Sequence, residues 1–343
     1  MKDIIVVGNF SNKSAPGTVA LSLIKGLKGD GITVKSINTG GVLYGKILAL
    51  LKICGLLFVR NKIINVHSFG YMAPYIVCLI SSLNKSNDYY LTLHGITSIE
   101  NKINRKEYNS VLERKLIKGF PNIICVSNLE KELLATRFGR QKNVVVVYNG
   151  VDMNVALKKK ATEYHGRTGR VGIIMASGFS RRKNTMGVIK FAEYAMGCKV
   201  LVSIVICGNI EDENYYDDCC KYIKTHGLEE SIAILGKLTP TKLNEAYTEN
   251  DYVIALSKFD TFNLTVLEGM RCGLPAIVSK NSGVSEILDG SGLVVSDNDY
   301  SSILDFISNS KYNSISDKAY MVGQTYSIKK MTEDYLRLFG GLR

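Results

Sequence analysis

The sequence predicts an α/β protein made of two parallel-sheet domains, and three observations carry that prediction. Short apolar runs alternate with helix-length stretches along nearly the whole chain. The short runs are continuously apolar and rich in Val and Ile, as in "DIIVVGNF" and "NVVVVYNG", the pattern of strands buried on both faces. The alternation stops once, near the middle, and restarts. A length of 343 residues fits two domains of ordinary size.

Taken in order, "DIIVVGNF", "TVKSIN", "IINVHS", "YYLTLHG", "NIICVS" and "NVVVVYNG" read as strands. Helices are expected between them at 18–29, 43–59, 73–84, 107–118 and 128–138. Residues 153–169, "MNVALKKKATEYHGRTG", are polar, basic and turn-prone, and read as a linker. They separate a domain of 1–152 from one of 170–322. In the latter, "VGIIMAS", "VLVSIVICG", "SIAILG", "DYVIALS", "PAIVS" and "GLVVS" are strands. Ile328, Met331, Tyr335 and Leu338 have helical spacing, so 323–343 is expected as a C-terminal helix packing back toward the first domain. Both domains are thus Rossmann-like. Open parallel sheets bind ligands at the carboxyl ends of their strands. Two such domains facing a central cleft would turn those ends toward one ligand.

Composition narrows the class. The net charge is +12, and residues 1–150 hold 20 Lys+Arg against 8 Asp+Glu, so that half carries all of it. Such asymmetry points to an anionic partner: a membrane surface or a phosphorylated acceptor. Nucleic acid has the charge in its favour but no recognition motif. None of the eight cysteines forms a C-x-x-C pair, and most lie in apolar runs. That favours a reducing, cytoplasmic setting without a disulfide framework. Four scattered histidines give no zinc spacing. No signal-peptide core is present. "ILALLKICGLLFV" (47–59) is too short to span a bilayer, which takes about 20 residues. With Lys46, Arg60 and Lys62 at its ends it fits a helix lying on a lipid interface, or equally a buried helix.

The stretch "FDTFNLTVLEGMRCGLPAIVS" (259–279) carries two acids, Asp260 and Glu268. Leu264, Leu267 and Met270 start a helix between them, so amides near Asn263, Leu264 and Thr265 are free to meet an anion such as a diphosphate. Eight residues of helix would cover about 12 Å, too far for a pair of catalytic carboxylates. The spacing suits two anchors on one elongated ligand. After "VGIIMAS", the segment "SGFSRRKN" places Arg181, Arg182 and Lys183 at a strand end, where clustered cations suit phosphate.

These stretches, with "LGKL", "TLHG" and "VYNGVD", resemble the family 4 retaining glycosyltransferases of the GT-B fold, of the bacterial surface-polysaccharide type. The resemblance implies that Glu268 contacts a donor ribose and that Asp260, in place of the family's first Glu, contacts the donor sugar. It implies that Lys183 grips the diphosphate. The family's partner Arg is replaced by Gly178, with Arg181 or Arg182 as the substitute. Lys237 and Leu238 of "LGKL" match the loop that frames the base, and Gly17 the loop near donor phosphate or acceptor.

His94 ends the strand "YYLTLHG". The resemblance places it near the donor sugar or acceptor hydroxyl, where an ordinary imidazole exchanges protons near neutral pH. His67 is a candidate on the acceptor side. Ser127 and Asn128 are equally explained by a helix cap, and so is the D-x-D of Asp297 and Asp299. No metal or cofactor is expected, and G-x-G-x-x-G is absent. The expected chemistry is transfer of a sugar, by resemblance from a UDP-sugar, to a saccharide acceptor that is lipid-linked, on the inner face of the cytoplasmic membrane. Alternatives are a nucleotide-sugar 2-epimerase of the same fold and a non-catalytic sugar-nucleotide or membrane-binding module.

Overall fold

The computed structural model describes residues 2–10, 14–68, 70–108, 110–151, 169–309 and 311–340. The expected linker, but for its last residue, lies outside them. The chain forms two compact units. Unit 1 comprises Met1–Asn101, Glu107–Gly150 and Ser327–Arg343; unit 2 comprises Lys102–Lys106 and Val151–Tyr326.

Unit 1 runs β1 (Ile4–Gly8), α1 (Ala15–Gly29), β2 (Val34–Asn38), α2 (Leu43–Gly55), β3 (Ile63–His67), α3 (Met72–Leu83), β4 (Asp88–Thr92), α4 (Thr97–Ile103), α5 (Val111–Gly119), β5 (Asn122–Cys125), α6 (Asn128–Phe138) and β6 (Val144–Val146). Its strands are all parallel, in the order β2-β1-β3-β4-β5-β6. Every residue of β1 and β3 is buried, as continuous β-branched runs require in a sheet covered on both faces.

Local chemistry sets the helix ends. Ser14 caps α1 and Ser127 caps α6, each accepting from an amide of the first turn, and Gly139 closes α6 in a left-handed conformation. α1 begins three residues earlier than its periodicity indicates, because Ser14 and the proline in its first turn start it. The short α4, with only Ile99 buried, has too little apolar periodicity to be read from the sequence.

Unit 2 runs β7 (Val171–Met175), α7 (Thr185–Gly197), β8 (Val202–Cys207), α8 (Glu213–Thr225), β9 (Ile232–Gly236), α9 (Pro240–Glu249), β10 (Tyr252–Ala255), α10 (Leu264–Arg271), β11 (Ala276–Ser279), β12 (Gly292–Val295), α11 (Tyr300–Asn309) and α12 (Tyr312–Thr325). The strand order is β12-β11-β10-β7-β8-β9, again all parallel. Read from β9, this is the 3-2-1-4-5-6 order of a dinucleotide-type fold. Its core joins Ile173, Ile204 and Ile254 of the sheet to Val188, Phe191 and Ile303 of the helices. The C-terminal helix expected over 323–343 is shorter at its start, because α12 runs on to Thr325. α12 belongs to unit 2, and α13 (Ile328–Gly340) packs on α1 in unit 1. The chain re-enters unit 1 where a Cβ on Gly150 would lie 2.2 Å from the Ser327 carbonyl oxygen, so only glycine fits.

Candidate active site

In unit 2 the strand order reverses between β7 and β10, and a crevice outside their carboxyl ends is the expected ligand position. The segment leaving β7 carries Arg182 and Lys183. The segment leaving β10 carries Asp260. Sequence separation hides what the sheet brings together: Lys183 Nζ lies 2.5 Å from Asp260 Oδ2, and Arg182 NH1 lies 3.6 Å from the same oxygen. The two segments are sewn to each other. Lys258 N donates to the Arg182 carbonyl at 2.9 Å, and Asn184 Nδ2 to the Leu256 carbonyl at 2.9 Å. A third segment, after β11, fixes the acid: Asp260 N donates to Asn281 O at 3.0 Å, and Gly283 N to Asp260 O at 2.9 Å.

Asp260 is only 6% exposed. Burial pushes its pKa up, but the Lys183 and Arg182 charges and the bonds from Lys183 and Phe262 N outweigh that, and the net shift is downward. The carboxylate is therefore ionised, facing two cations that an incoming anion can share.

α10 starts beside it. Its first amides, at Leu264 and Thr265, have no acceptor behind them in the helix. Asn263, 2% exposed at the N-cap, accepts from Thr265 Oγ1 at 2.8 Å, while its Nδ2 is buried with no partner among the described residues. Ser177, Ser257 and Ser282, in the segments after β7, β10 and β11, also bury hydroxyls with no partner among the described residues. A buried unmet polar group costs about 1–3 kcal/mol.

Glu268, half-buried a turn further along α10, has one protein partner among the described residues: the Tyr247 hydroxyl, 3.2 Å from Oε2 and 2.8 Å from the Thr265 carbonyl. Burial pushes its pKa up to about 7. A carboxyl with spare acceptor capacity is suited to a diol.

Arg181 turns away from this cluster. It pairs with Asp212 at 3.1 Å, and its guanidinium lies 5.1 Å from the Tyr215 ring centre. Of the two arginines, Arg182 is the one beside Asp260. At Gly178, φ is +70° and a Cβ would stand 2.2 Å from Asn209 O, so no side chain fits there. Lys237 is exposed and Leu238 half-buried, both directly after β9 on the same edge of the sheet. Asp299 caps α11, accepting from Ser302 N at 3.2 Å and Ser301 Oγ at 3.1 Å.

In unit 1, His67 ends β3 and His94 lies just past β4. His67 Nδ1 and His94 Nε2 are 2.9 Å apart. Behind them runs a buried chain of hydrogen bonds. Thr92 Oγ1 donates to Asn65 Oδ1 at 2.9 Å, and Asn65 Nδ2 lies 3.2 Å from His67 Nε2. Tyr335 OH, from α13, lies 3.1 Å from Thr92 Oγ1. The Thr92 proton goes to Asn65, so Tyr335 donates to Thr92. Asn65 donates to His67 Nε2, which leaves the His67 proton on Nδ1, facing His94 Nε2. His94 therefore carries its own proton on Nδ1.

Burial holds His67 well below its ordinary value and His94 down at about 3. Proton exchange by His94 near neutral pH presupposes a solvated imidazole. The half-buried ring is instead neutral and a fixed hydrogen-bonding group. His67, 2% exposed, stands behind it and offers no surface of its own. Gly17 sits inside the first turn of α1, its amide donating to Ser14 Oγ at 3.3 Å, not in the loop.

Sequence reasoning missed Tyr247, Asn263 Nδ2, the 281–283 segment, Asn65, Thr92 and Tyr335. The strand-end position of Asn65 and Thr92 beside the histidines was a usable signal. Tyr335 had none, being recruited from the far end of the chain.

Two family models match the chain: glycosyl transferases group 1 over residues 158–318, and glycosyltransferase family 4 over residues 43–155. An uncharacterized glycosyltransferase of Methanocaldococcus jannaschii is 24% identical over 57% of this chain, a match spanning only 50% of its own length. The O-antigen biosynthesis glycosyltransferase WclY of Escherichia coli is 24% identical over 81% of this chain and 79% of its own. Among solved structures, Anabaena HepE in complex with UDP and glucose superposes with a TM-score of 0.77 at 16% identity, over 100% of both chains. At that identity the likeness establishes the fold, which is GT-B.

Proposed function

We propose, from the premise that this chain belongs to the group 1 and family 4 glycosyltransferases, that it moves a sugar from a nucleotide-sugar to a hydroxyl of a saccharide acceptor. One observation carries the reading most: the Lys183–Asp260–Arg182 cluster at the strand-order reversal, beside an α10 amino end with a buried, unpartnered Asn263 amide. That is a site for a diphosphate with a polar group attached. UDP is the donor nucleotide favoured, because the Anabaena neighbour holds UDP and glucose.

In this reading Lys183, Arg182 and the amides at Leu264 and Thr265 take up the charge that builds on the diphosphate as the anomeric bond breaks. Asp260 orients the transferred sugar, Glu268 accepts from the ribose diol, and Lys237 and Leu238 flank the base. The acceptor hydroxyl attacks the face the diphosphate leaves, with retention, and its proton passes to the departing phosphate. His94, neutral, acts as an orienting hydrogen-bond group. No step is assigned to a metal.

The acceptor side belongs to unit 1, where the basic excess lies. A lipid-linked saccharide in surface-polysaccharide assembly at the inner face of the membrane fits that charge, and the name of the Escherichia coli relative supports the pathway. Nucleotide release from a panel of UDP-sugars, with and without a crude lipid-linked acceptor, tests the reading. Release that needs the acceptor is expected. Donor isomerised without acceptor would make it an epimerase, and donor bound but unchanged would make it a binding module.

A further inference from the structure

α2 is built to be covered, yet unit 1 leaves it bare. Of its 13 residues only Ala49 and Ile53 are buried. Leu43, Tyr44, Ile47, Leu48, Leu50 and Leu51 are exposed, Leu51 at 64%. The adjoining turn adds Leu57 and Phe58, the latter 86% exposed, and α3 adds Met72, Leu79 and Leu83. So many exposed large apolar side chains on two helices that pack together mark an interaction site.

Charge says what kind. From Asp30 to Asp88 the intervening chain has no Asp or Glu and six cations, Lys35, Lys46, Lys52, Arg60, Lys62 and Lys85, of which Lys62 pairs with Asp3. A bare apolar helix in a carboxylate-free basic stretch matches a surface that is apolar inside and anionic at its rim. No helix among the described residues is long and apolar enough to cross a membrane, so contact is with its face.

Between α2 and α3 a cavity of about 360 Å³ opens. Thr39 and Lys46 line it near the carboxyl ends of the strands, and Leu50, Ile53, Ala73 and Ile76 line it farther along the two helices. One polar, cationic end and one apolar body is the shape of an amphiphile's site, a phosphate with an aliphatic chain behind it.

We propose that the α2–α3 face docks on an anionic bilayer and that the cavity takes one aliphatic chain of an anionic lipid, with Lys46 at its phosphate. This deepens the proposed lipid-linked acceptor and rests on that reading for its biological sense, while the docking itself stands on unit 1 alone.

The chain has no Trp, so single Trp reporters are clean. Leu51→Trp and Phe58→Trp are expected to shift to the blue, and to be quenched by brominated chains, with vesicles containing phosphatidylglycerol. Met321→Trp, on exposed α12 surface of unit 2, is expected to stay unchanged. Leu51→Glu with Phe58→Glu should abolish co-sedimentation without lowering Tm. Lys46→Ala and Lys52→Ala should each weaken it about fivefold. Dodecyl phosphate should raise the Tm of the natural chain more than that of Ala73→Phe, which fills the cavity, and inorganic phosphate should act equally on the two.

Silent reporters at 51 and 58 would overturn the proposal. So would a blue shift that tracks protein concentration without lipid, which would make the face a contact with a second copy. Equal protection of Ala73→Phe and the natural chain by dodecyl phosphate would overturn the cavity assignment. UDP binding measured on the same preparations separates the two readings: docking lost with UDP bound sinks this inference alone, and docking kept with no UDP bound sinks the proposed function alone.

Discussion

The strand ends of the two units handle polarity in opposite ways. In unit 2 charge is concentrated: an ionised, buried Asp260 stands against Lys183 and Arg182, and Glu268 is held near neutral-pH titration. In unit 1 charge is removed: His67 and His94 are neutral, aligned by a run of hydrogen bonds that begins at Tyr335. A single fold repeated twice thus yields one edge suited to an anion and one suited to orienting a neutral hydroxyl. The difference is not topological. It comes from the side chains that each strand and its exit segment carry.

Lys183→Ala is expected to lower turnover about 10²–10³-fold, the scale for losing a preorganised charge stabiliser, measured as nucleotide release. A loss under about threefold would place the diphosphate elsewhere. Asp260→Asn comes next, at roughly 10–10²-fold in kcat. Because it leaves two cations without their shared carboxylate, it should also lower Tm. Unchanged kcat with lowered Tm would make Asp260 structural only.

Tyr335→Phe probes the neutral edge. Removing the hydroxyl that starts the chain should cost about fivefold in kcat, the worth of about 1 kcal/mol. In the natural chain, nitrogen NMR should find His94 protonated at Nδ1 and bare at Nε2, with no titration between pH 5 and 8. A proton on Nε2 would reverse the direction of the chain. Glu268→Gln should give the smallest effect. A carboxyl raised from about 4.5 to about 7 prefers its protonated form when folded, so ligand-free stability declines as pH rises through that window. The Gln variant should lose this part of the slope, a change on the order of a few degrees in Tm between pH 5 and 7.5.

Much of this was written in the sequence, and the reason differs by feature. Continuous runs such as Ile4–Gly8 and Ile63–His67 announce buried parallel strands because nothing else buries both faces. Asp260, Lys183 and Glu268 were legible because each lies past a strand end or within the opening turns of a helix. The choice of Arg182 over Arg181 was not. It depends on Asp212, 31 positions away, capturing Arg181. The chain behind His94 was hidden for a similar reason, since Tyr335 lies 243 positions from Thr92. The boundary before the last helix, expected after residue 322, falls after Tyr326, because α12 runs on to Thr325 and only packing assigns it to unit 2.

UDP affinity compared between Lys183→Ala and Arg181→Ala, by calorimetry on variants of unchanged Tm, tests the central claim most directly. If the donor diphosphate lies at the amino end of α10 between Lys183 and Arg182, Lys183→Ala should weaken UDP by about 10–100-fold, the worth of a charge-assisted hydrogen bond, and Arg181→Ala by less than about twofold. Equal losses in both, or none in Lys183→Ala, would contradict it.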